Sequence, residues 1–246
     1  MYEIAIVTLC KNDPDGLART LASTARLRSE GSVVQRVVDS SSADVCDSIR
    51  TLAAQHQRVV YEWQTPAGTA SAFNLTLPTL QEPWVWFLNS GDEVLKDFSI
   101  SMLLEILRKT SAKVVTFSII DHDGTPSTRP ALPFVWPPVF TWLCFPATVF
   151  RTGELVAIGG FDLQFRTSGD GEMWFRLLNR RSVSLDVISV PIVQMECAGL
   201  SGNRAAVAEE ALRFLQKHRF LIFKRWLQSG MRYFEAKRKY RRRLSK

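Results

Sequence analysis

The sequence predicts an α/β fold with a mainly parallel central sheet, helices on both faces and a basic amphipathic helix at the C-terminus. Three observations carry this. Apolar β-rich runs alternate with helical periodicities, the rhythm of strands joined by right-handed helical crossovers. Trp84-Val85-Trp86-Phe87-Leu88 is apolar without alternating polarity, as suits a strand covered on both faces. Turn-forming residues close the strands, most clearly Asn89-Ser90-Gly91-Asp92. A chain of 246 residues with 46% hydrophobic content can build the large core such a fold needs.

The elements follow in order. Ile4-Ala5-Ile6-Val7-Thr8-Leu9 reads as the first strand. Asp13 then offers an N-cap with Pro14 at the first helical position, leading into Leu17, Leu21 and Ala25 at helical spacing. Val33 to Val38 is a second strand, closed by Asp39-Ser40-Ser41-Ser42 ahead of a helix over 44–55. A third strand spans 58–63, Pro66-Ala67-Gly68 makes a turn, and a helix over 69–80 precedes the Trp84 strand. Beyond the strand at 114–120, Asp121-His122-Asp123-Gly124 is a hairpin-type turn. Residues 130–146 hold five prolines among Phe134, Trp136, Phe140, Trp142 and Phe145, which excludes ordinary helix. That segment reads equally as an aromatic acceptor-side loop or as a packed irregular connection. A helix over 170–180, a strand over 183–195 and helix from 205 onward complete the pattern.

Charge is divided unevenly. Residues 217–246 carry 12 Lys or Arg against one acid, Glu235, for +11, so a net charge of +7 leaves 1–216 at −4. The body is mildly acidic and the basicity belongs to a tail, which argues against a nucleic-acid-binding body. Cys10, Cys46, Cys144 and Cys197 are widely spaced and form no Cys-x-x-Cys pair, the pattern of reduced, buried thiols in a cytosolic protein. The N-terminal apolar run follows Glu3 and not a basic region, so it is expected to be a strand and not a signal peptide. No stretch reaches the roughly 20 apolar residues of a membrane span, so a soluble or peripheral protein is expected.

Three acids close elements at comparable places: Asp39 after the second strand, Asp92 after the fourth and Asp170 at a helix start. Asp92 beside a flexible turn can hold a hard divalent cation through oxygen or can cap a helix, and Asp39 can read a ligand N–H or cap the following helix. The ordered set Ile6-Val7-Thr8, Val37-Val38-Asp39-Ser40-Ser41-Ser42-Ala43-Asp44, Ala72-Phe73-Asn74, Phe87-Leu88-Asn89-Ser90-Gly91-Asp92-Glu93, Gly159-Gly160-Phe161-Asp162 and Asp170-Gly171-Glu172-Met173-Trp174-Phe175-Arg176 resembles glycosyltransferase family 2 over about residues 1–205.

The resemblance implies a GT-A type, Rossmann-like fold and an inverting, nucleotide-sugar-dependent enzyme, with 1–112 as the nucleotide-binding half and 113–205 as the acceptor half. It implies that Asp39, with the backbone near Thr8, holds the nucleotide, uracil being compatible. Ala72, Asn74 and Asn89 are then further nucleotide-sugar contacts, and Asp92 ties Mn²⁺ or Mg²⁺ to the diphosphate. Asn89 or Ser90 stands where a fuller motif has another Asp, leaving one carboxylate. Asp170 is implied as the catalytic base, Glu172 being the alternative. Arg176 either meets a phosphate or braces a carboxylate. Glu196-Cys197-Ala198-Gly199-Leu200-Ser201 resembles a Gly-Gly-x-Ser segment near the nucleotide.

Met173, Trp174, Leu177 and Leu178 read as a helix's core face, and His56, His122 and His218 as surface groups. In the tail, Leu215, Ile222, Phe223, Trp226, Leu227, Met231 and Phe234 recur near helical spacing among Lys217, Arg219, Lys224, Arg225 and Arg232. Residues 206–246 thus form a basic amphipathic helical tail that suits an anionic membrane surface or packs on the domain. The expected partners are a nucleotide-sugar donor and a glycan or lipid-linked acceptor, with no nucleic acid, at the inner face of the cytoplasmic membrane in surface polysaccharide assembly. A binding protein on a decayed scaffold and a sugar nucleotidyltransferase are the rival readings.

Overall fold

The computed structural model describes residues 2–120, 126–127, 144–180, 182–195, 206 and 208–224. Strands β1 (Ile4–Cys10), β2 (Val33–Asp39), β3 (Val59–Trp63) and β4 (Trp84–Phe87) alternate with helices α1 (Pro14–Glu30), α2 (Ala43–Ala54) and α3 (Thr69–Thr76). There follow β5 (Glu93–Val94), α4 (Ile100–Lys109), β6 (Val114–Ile120), β7 (Pro126–Ser127), β8 (Thr148–Arg151), α5 (Thr152–Ala157), α6 (Gly169–Leu178) and β9 (Leu185–Gln194). Residues 208–224 are helical and are called α7.

Among the described residues one sheet holds all the strands in the order β3-β2-β1-β4-β8-β6-β9-β5, with β7 paired to β6. β3, β2, β1 and β4 are mutually parallel. β8 runs against both β4 and β6, so the mainly parallel sheet carries an antiparallel strand at its middle. The antiparallel pairing of Ile119 with Ser127 fits the hairpin expected at 121–124, although the turn itself lies outside the described residues.

The unbroken apolar run of β4 is explained by its two covers. Trp84, Trp86 and Leu88 join Ile4, Ile6 and the α4 residues Ile100, Leu103, Leu104 and Leu107 on one face. Val85 and Phe87 join Ala5, Val7, Phe73 of α3, Leu155 of α5 and Met173, Trp174 and Leu177 of α6 on the other. Within that second layer Phe87 stacks on Phe145 with centroids 5.1 Å apart, and Trp174 meets Phe150 at 4.9 Å. Aromatic pairing of this kind adds to area burial in fixing how α6 lies on the sheet.

Several elements differ from expectation. α4, β5 and α5 were not anticipated. The helix expected over 69–80 stops at Thr76 and continues as a single 3-10 turn, Leu77–Thr79, in which Pro78 supplies no N–H. Most of the proline-aromatic segment, 128–143, lies outside the described residues; its end, Phe145–Ala147, is a buried 3-10 turn. Cys10 and Cys144 are buried and Cys46 half-buried, all as free thiols. No described helix is long and apolar enough to cross a membrane.

The connection from α5 to α6 is pinned to α3. Asn74 donates from Nδ2 to the Phe161 carbonyl and accepts the Phe161 N–H at Oδ1, both at 2.7 Å. This close approach passes over Gly160, whose φ is +67° and where an added Cβ would lie 2.2 Å from Asn74 Oδ1. Gly160→Ala therefore meets both a left-handed backbone and a clash, and is expected to lower unfolding stability by about 1–3 kcal/mol. Urea denaturation of the variant checks this, with Gly153→Ala, where nothing stands near an added Cβ, as the comparison.

Candidate active site

The carboxyl ends of parallel strands leave backbone groups and loops unpaired, and ligands in open α/β sheets gather there. Here β1 and β2 end side by side, Cys10 pairing with Asp39. The chain leaving β4 stays on the same edge, since Leu88 and Ser90 donate their N–H groups to the carbonyls of Val7 and Leu9. Asp39 and the 89–92 turn thus flank the end of β1.

That turn is held from several sides. Gly91 has φ +94°, which the chain reversal requires. The Asp92 N–H returns to the Asn89 carbonyl at 3.1 Å, and Asp92 Oδ2 accepts the Asn89 N–H at 3.1 Å. From α1, the Thr20 hydroxyl donates to the Asp92 carbonyl at 2.8 Å and accepts the Gly91 N–H at 3.0 Å. Asp13, the N-cap of α1, accepts the Gly16 N–H at 2.9 Å and the Ser90 hydroxyl at 2.6 Å. The first helix therefore builds the turn, and Thr20, Ser90 and the second role of Asp13 had no signature beyond ordinary helix residues and a cap.

Asp92 is buried and caps no helix; it belongs to this turn. Beside it Asn89 Oδ1 is a buried oxygen with no hydrogen-bond partner among the described residues. Two hard oxygen donors in one turn fit a divalent cation that draws its remaining ligands from phosphate and water. No cluster of three or more His, Cys, Asp or Glu able to hold a metal is found among the described residues.

Asp39 does not cap α2 either. The N-cap position there is Ser42, with no side-chain cap hydrogen bond. Instead Asp39 Oδ1 accepts the Ser41 N–H and Oδ2 the Tyr61 hydroxyl, each at 2.8 Å, leaving the residue without exposed surface. Burial, and then the bond to Asp39, raise the Tyr61 phenol above its ordinary value. Burial likewise pushes the neighbouring Cys10 thiol up to about 12, with the nearby Asp39 and Asp13 charges adding to it. Neither group is set up as a nucleophile. The exposed Trp63, register partner of Asp39, is anchored by its indole N–H on the Ser41 carbonyl at 3.1 Å.

Other residues singled out in the sequence turn inward. The Thr8 hydroxyl accepts from Gln35 Nε2 at 2.9 Å within a buried network that includes Thr24 and Arg28, so only its backbone borders the edge. Ala72 packs into the core beneath the sheet, and both polar atoms of Asn74 serve Phe161. Arg176 resolves as a brace. Its Nε meets both Glu172 carboxylate oxygens at 2.9 and 2.7 Å, Nη1 donates to the Ile158 carbonyl at 2.6 Å and Nη2 to the Gly160 carbonyl at 2.7 Å.

The two acids at the start of α6 separate by environment. Glu172 has no exposed side-chain surface and is paired with Arg176, with Lys217 Nζ at 2.9 Å and with His218 Nε2 at 2.9 Å. His218 is thus buried against α6 and not a surface group; burial lowers its pKa although Glu172 opposes the shift. Asp170 is exposed, with Oδ1 accepting the Gly171 N–H at 2.8 Å. Its carboxyl is nevertheless raised, first by desolvation, with the Glu210 charge adding to it. Exposure and desolvation coincide where a group opens on solvent along one direction and has dense protein behind it. Connectivity aims α6 suitably. The helix leads to β9, which begins at Leu185 opposite Val114, the starting end of β6, so Gly169 and Asp170 lie toward the opposite edge, where β1, β2 and β4 end.

His122 and the 196–201 segment lie outside the described residues. His56 sits half-buried at 3.3 Å from Arg28, and burial followed by that cation lowers its pKa.

The family model described as Glycosyl transferase family 2 matches residues 5–160. An uncharacterized glycosyltransferase of Mycobacterium tuberculosis, strain H37Rv, is 26% identical over 180 residues, 70% of this chain and 68% of that protein. Among solved structures, S. aureus TarS 1-349 in complex with UDP superposes with a TM-score of 0.67 at 16% identity, over 87% of this chain and 64% of that one. The mannosyltransferase PcManGT of Pyrobaculum calidifontis, in complex with GDP-Man and Mn²⁺, gives 0.63 at 13% identity, over 87% and 63%. This chain spans less than two thirds of either solved chain.

The separation of Glu172 from Asp170 has a measurable consequence. Glu172→Ala strips the buried partner from Arg176, Lys217 and His218 and is expected to cost about 3–5 kcal/mol of unfolding free energy, the scale for breaking a buried ion pair. Asp170→Asn changes an exposed group and is expected to leave the denaturation midpoint nearly unmoved. Chemical denaturation of both variants distinguishes the two positions.

Proposed function

The chain belongs to glycosyl transferase family 2, and from that premise we propose that it moves a hexose from a nucleotide sugar, UDP-linked, to a glycan or lipid-linked acceptor in surface polysaccharide assembly. The observation that carries this reading is the single sheet edge on which Asp39 and the Asn89–Asp92 turn flank β1, with the exposed Asp170 directed toward it. The UDP named for the TarS structure and the GDP-Man and Mn²⁺ named for PcManGT support a nucleotide-sugar donor and a divalent cation on the same fold.

In this mechanism the nucleoside rests at the Asp39 end, with the backbone near Thr8 and the Trp63 ring bordering the same place. Asp92 and Asn89 would hold Mn²⁺ or Mg²⁺, which when bound would supply Lewis-acid stabilisation of the charge on the departing nucleoside diphosphate. Asp170 takes the proton of the acceptor hydroxyl as that oxygen bonds to the anomeric carbon. The carbon–oxygen bond to the diphosphate breaks on the opposite side, which inverts configuration. A raised carboxyl pKa, caused first by desolvation, suits this role, since it makes Asp170 a stronger base. Asn74 and Arg176 position the 158–161 turn.

The tail supports a peripheral place at the inner face of the cytoplasmic membrane. Along α7, Phe220 and Phe223 are exposed beside Lys217, Arg219 and Lys224, and the residues that follow are strongly basic. Aromatics among cations suit an anionic interface.

A thermal-shift screen tests the donor. UDP-sugars with manganese are expected to raise the melting temperature, and manganese alone to leave it unchanged, because ligand stabilisation reports affinity for the folded state. Sugar release during donor hydrolysis supports transfer, pyrophosphate release points to a nucleotidyltransferase, and tight nucleotide binding without turnover points to a binding protein. Asp170→Asn is expected to reduce turnover by about a hundredfold or more while sparing donor stabilisation; loss of both makes the residue structural. Deleting the residues after Gly230 is expected to weaken sedimentation with phosphatidylserine vesicles while leaving nucleotide binding intact. Unchanged sedimentation removes the membrane role of the tail.

A further inference from the structure

Glu210 stands on α7, outside the span matched by the family, and its carboxylate is enclosed by donors from one short stretch. It accepts the N–H groups of Arg166 at 2.6 Å, Thr167 at 3.1 Å and Ser168 at 2.8 Å, and the Ser168 hydroxyl at 2.6 Å. Burial alone would raise this carboxyl, but the Ser168 hydroxyl and the surrounding N–H groups win and hold it below the ordinary range. These residues are the entry to α6. Ser168 occupies the N-cap position without making a side-chain cap of its own. A carboxylate from a different helix therefore satisfies the donors that a helix entry leaves open.

We infer that Glu210 is a positioning residue for Asp170: by gathering the 166–168 N–H groups onto one anion, α7 fixes the backbone two residues ahead of the base. This rests on the reading of Asp170 as the base. The clamp has two further points along the same helix. Lys217 pairs with Asp162 and with Glu172, and His218 donates from Nε2 to Glu172 at 2.9 Å. Phe214 packs on Phe175 of α6 with centroids 4.9 Å apart and on Phe165 at 6.4 Å. Every turn of α7 between 210 and 218 thus meets α6 or the loop before it.

The charges around Asp170 make the role separable from simple bracing. Glu210 faces it from α7. On α6 itself Glu172 is turned inward and offset by Arg176 and, from α7, by Lys217 and His218, while Arg166 of the entry loop is exposed. Desolvation is the main cause of the raised Asp170 carboxyl, and the Glu210 charge adds to it by disfavouring ionisation.

The test uses the full chain. Glu210→Gln keeps the size of the side chain and one acceptor oxygen but removes the charge. It is expected to lower kcat roughly tenfold through misplacement of the base, to leave the donor KM unchanged, and to move the acid limb of the pH–rate profile to lower pH. Ser168→Ala, which removes one hydrogen bond and no charge, is expected to lower kcat without moving that limb, and stands in if the first variant fails to fold; wild-type kcat in it then overturns the inference. Wild-type kcat and pH profile in Glu210→Gln also overturn it, as does a fall in kcat matched by a rise in donor KM with the acid limb fixed. Asp170→Asn keeps the two readings apart: turnover retained there removes Asp170 as base, whereas a silent Asp170→Asn beside an unaffected Glu210→Gln removes only the role of Glu210.

Discussion

A carboxylate without exposed surface has to be paired, and Glu172 is where this fold meets that requirement on its acceptor side. Arg176, Lys217 and His218 converge on it, and each comes with an attachment elsewhere. Arg176 uses its remaining nitrogens on the carbonyls of Ile158 and Gly160. Lys217 reaches Asp162, and His218 brings the ring-packed side of α7 against Phe175. The 158–161 turn so fixed is the one that Asn74 grips from α3. One buried charge therefore ties the sheet-covering helices, the glycine turn and the C-terminal helix together, and Asp170 inherits its place from them.

The nucleotide side is organised on a different principle. Around β1 the acids are held mainly by neutral donors: backbone N–H groups, the Tyr61 and Ser90 hydroxyls, and Thr20 as the link from α1. On α6 the Glu172 carboxylate is instead met by Arg176 and Lys217, while Asp170 stands exposed at the start of the helix.

The first half of the fold was readable because its signals are local. Doubly covered strands such as β4 write themselves as unbroken apolar runs, and Asp13 with Pro14 marks the start of α1 unambiguously. α4 carries the same kind of signal, with Ser99 as N-cap and Ile100, Leu103, Leu104 and Leu107 at helical spacing. β5 is different: two residues, Glu93 and Val94, become a strand only because β9 lies alongside. The orientation of β8 likewise depends on its neighbours. At the site, residue types were legible and partners were not. Which groups Arg176, Asn74 and Glu172 meet in the fold, the Ile158 and Gly160 carbonyls, Phe161 and Lys217, depends on contacts 16 to 87 residues away in sequence. Glu210 and His218 gave no warning, since a helical Glu and a His in a basic stretch read as solvated surface.

The tail shows how a periodicity can be right and its meaning divided. Apolar residues at helical spacing were expected to form one face, for a membrane or for the domain. Register separates the two uses along a single helix. Phe214 and His218, four apart, point into α6 with Glu210 one turn earlier, whereas Leu212, Phe220 and Phe223 face solvent. An element that grips the entry to Asp170 on one side and offers aromatics and cations on the other is mechanically continuous between them. Anything that seats the outer face of α7 therefore acts on a body already hydrogen-bonded to residues 166–168.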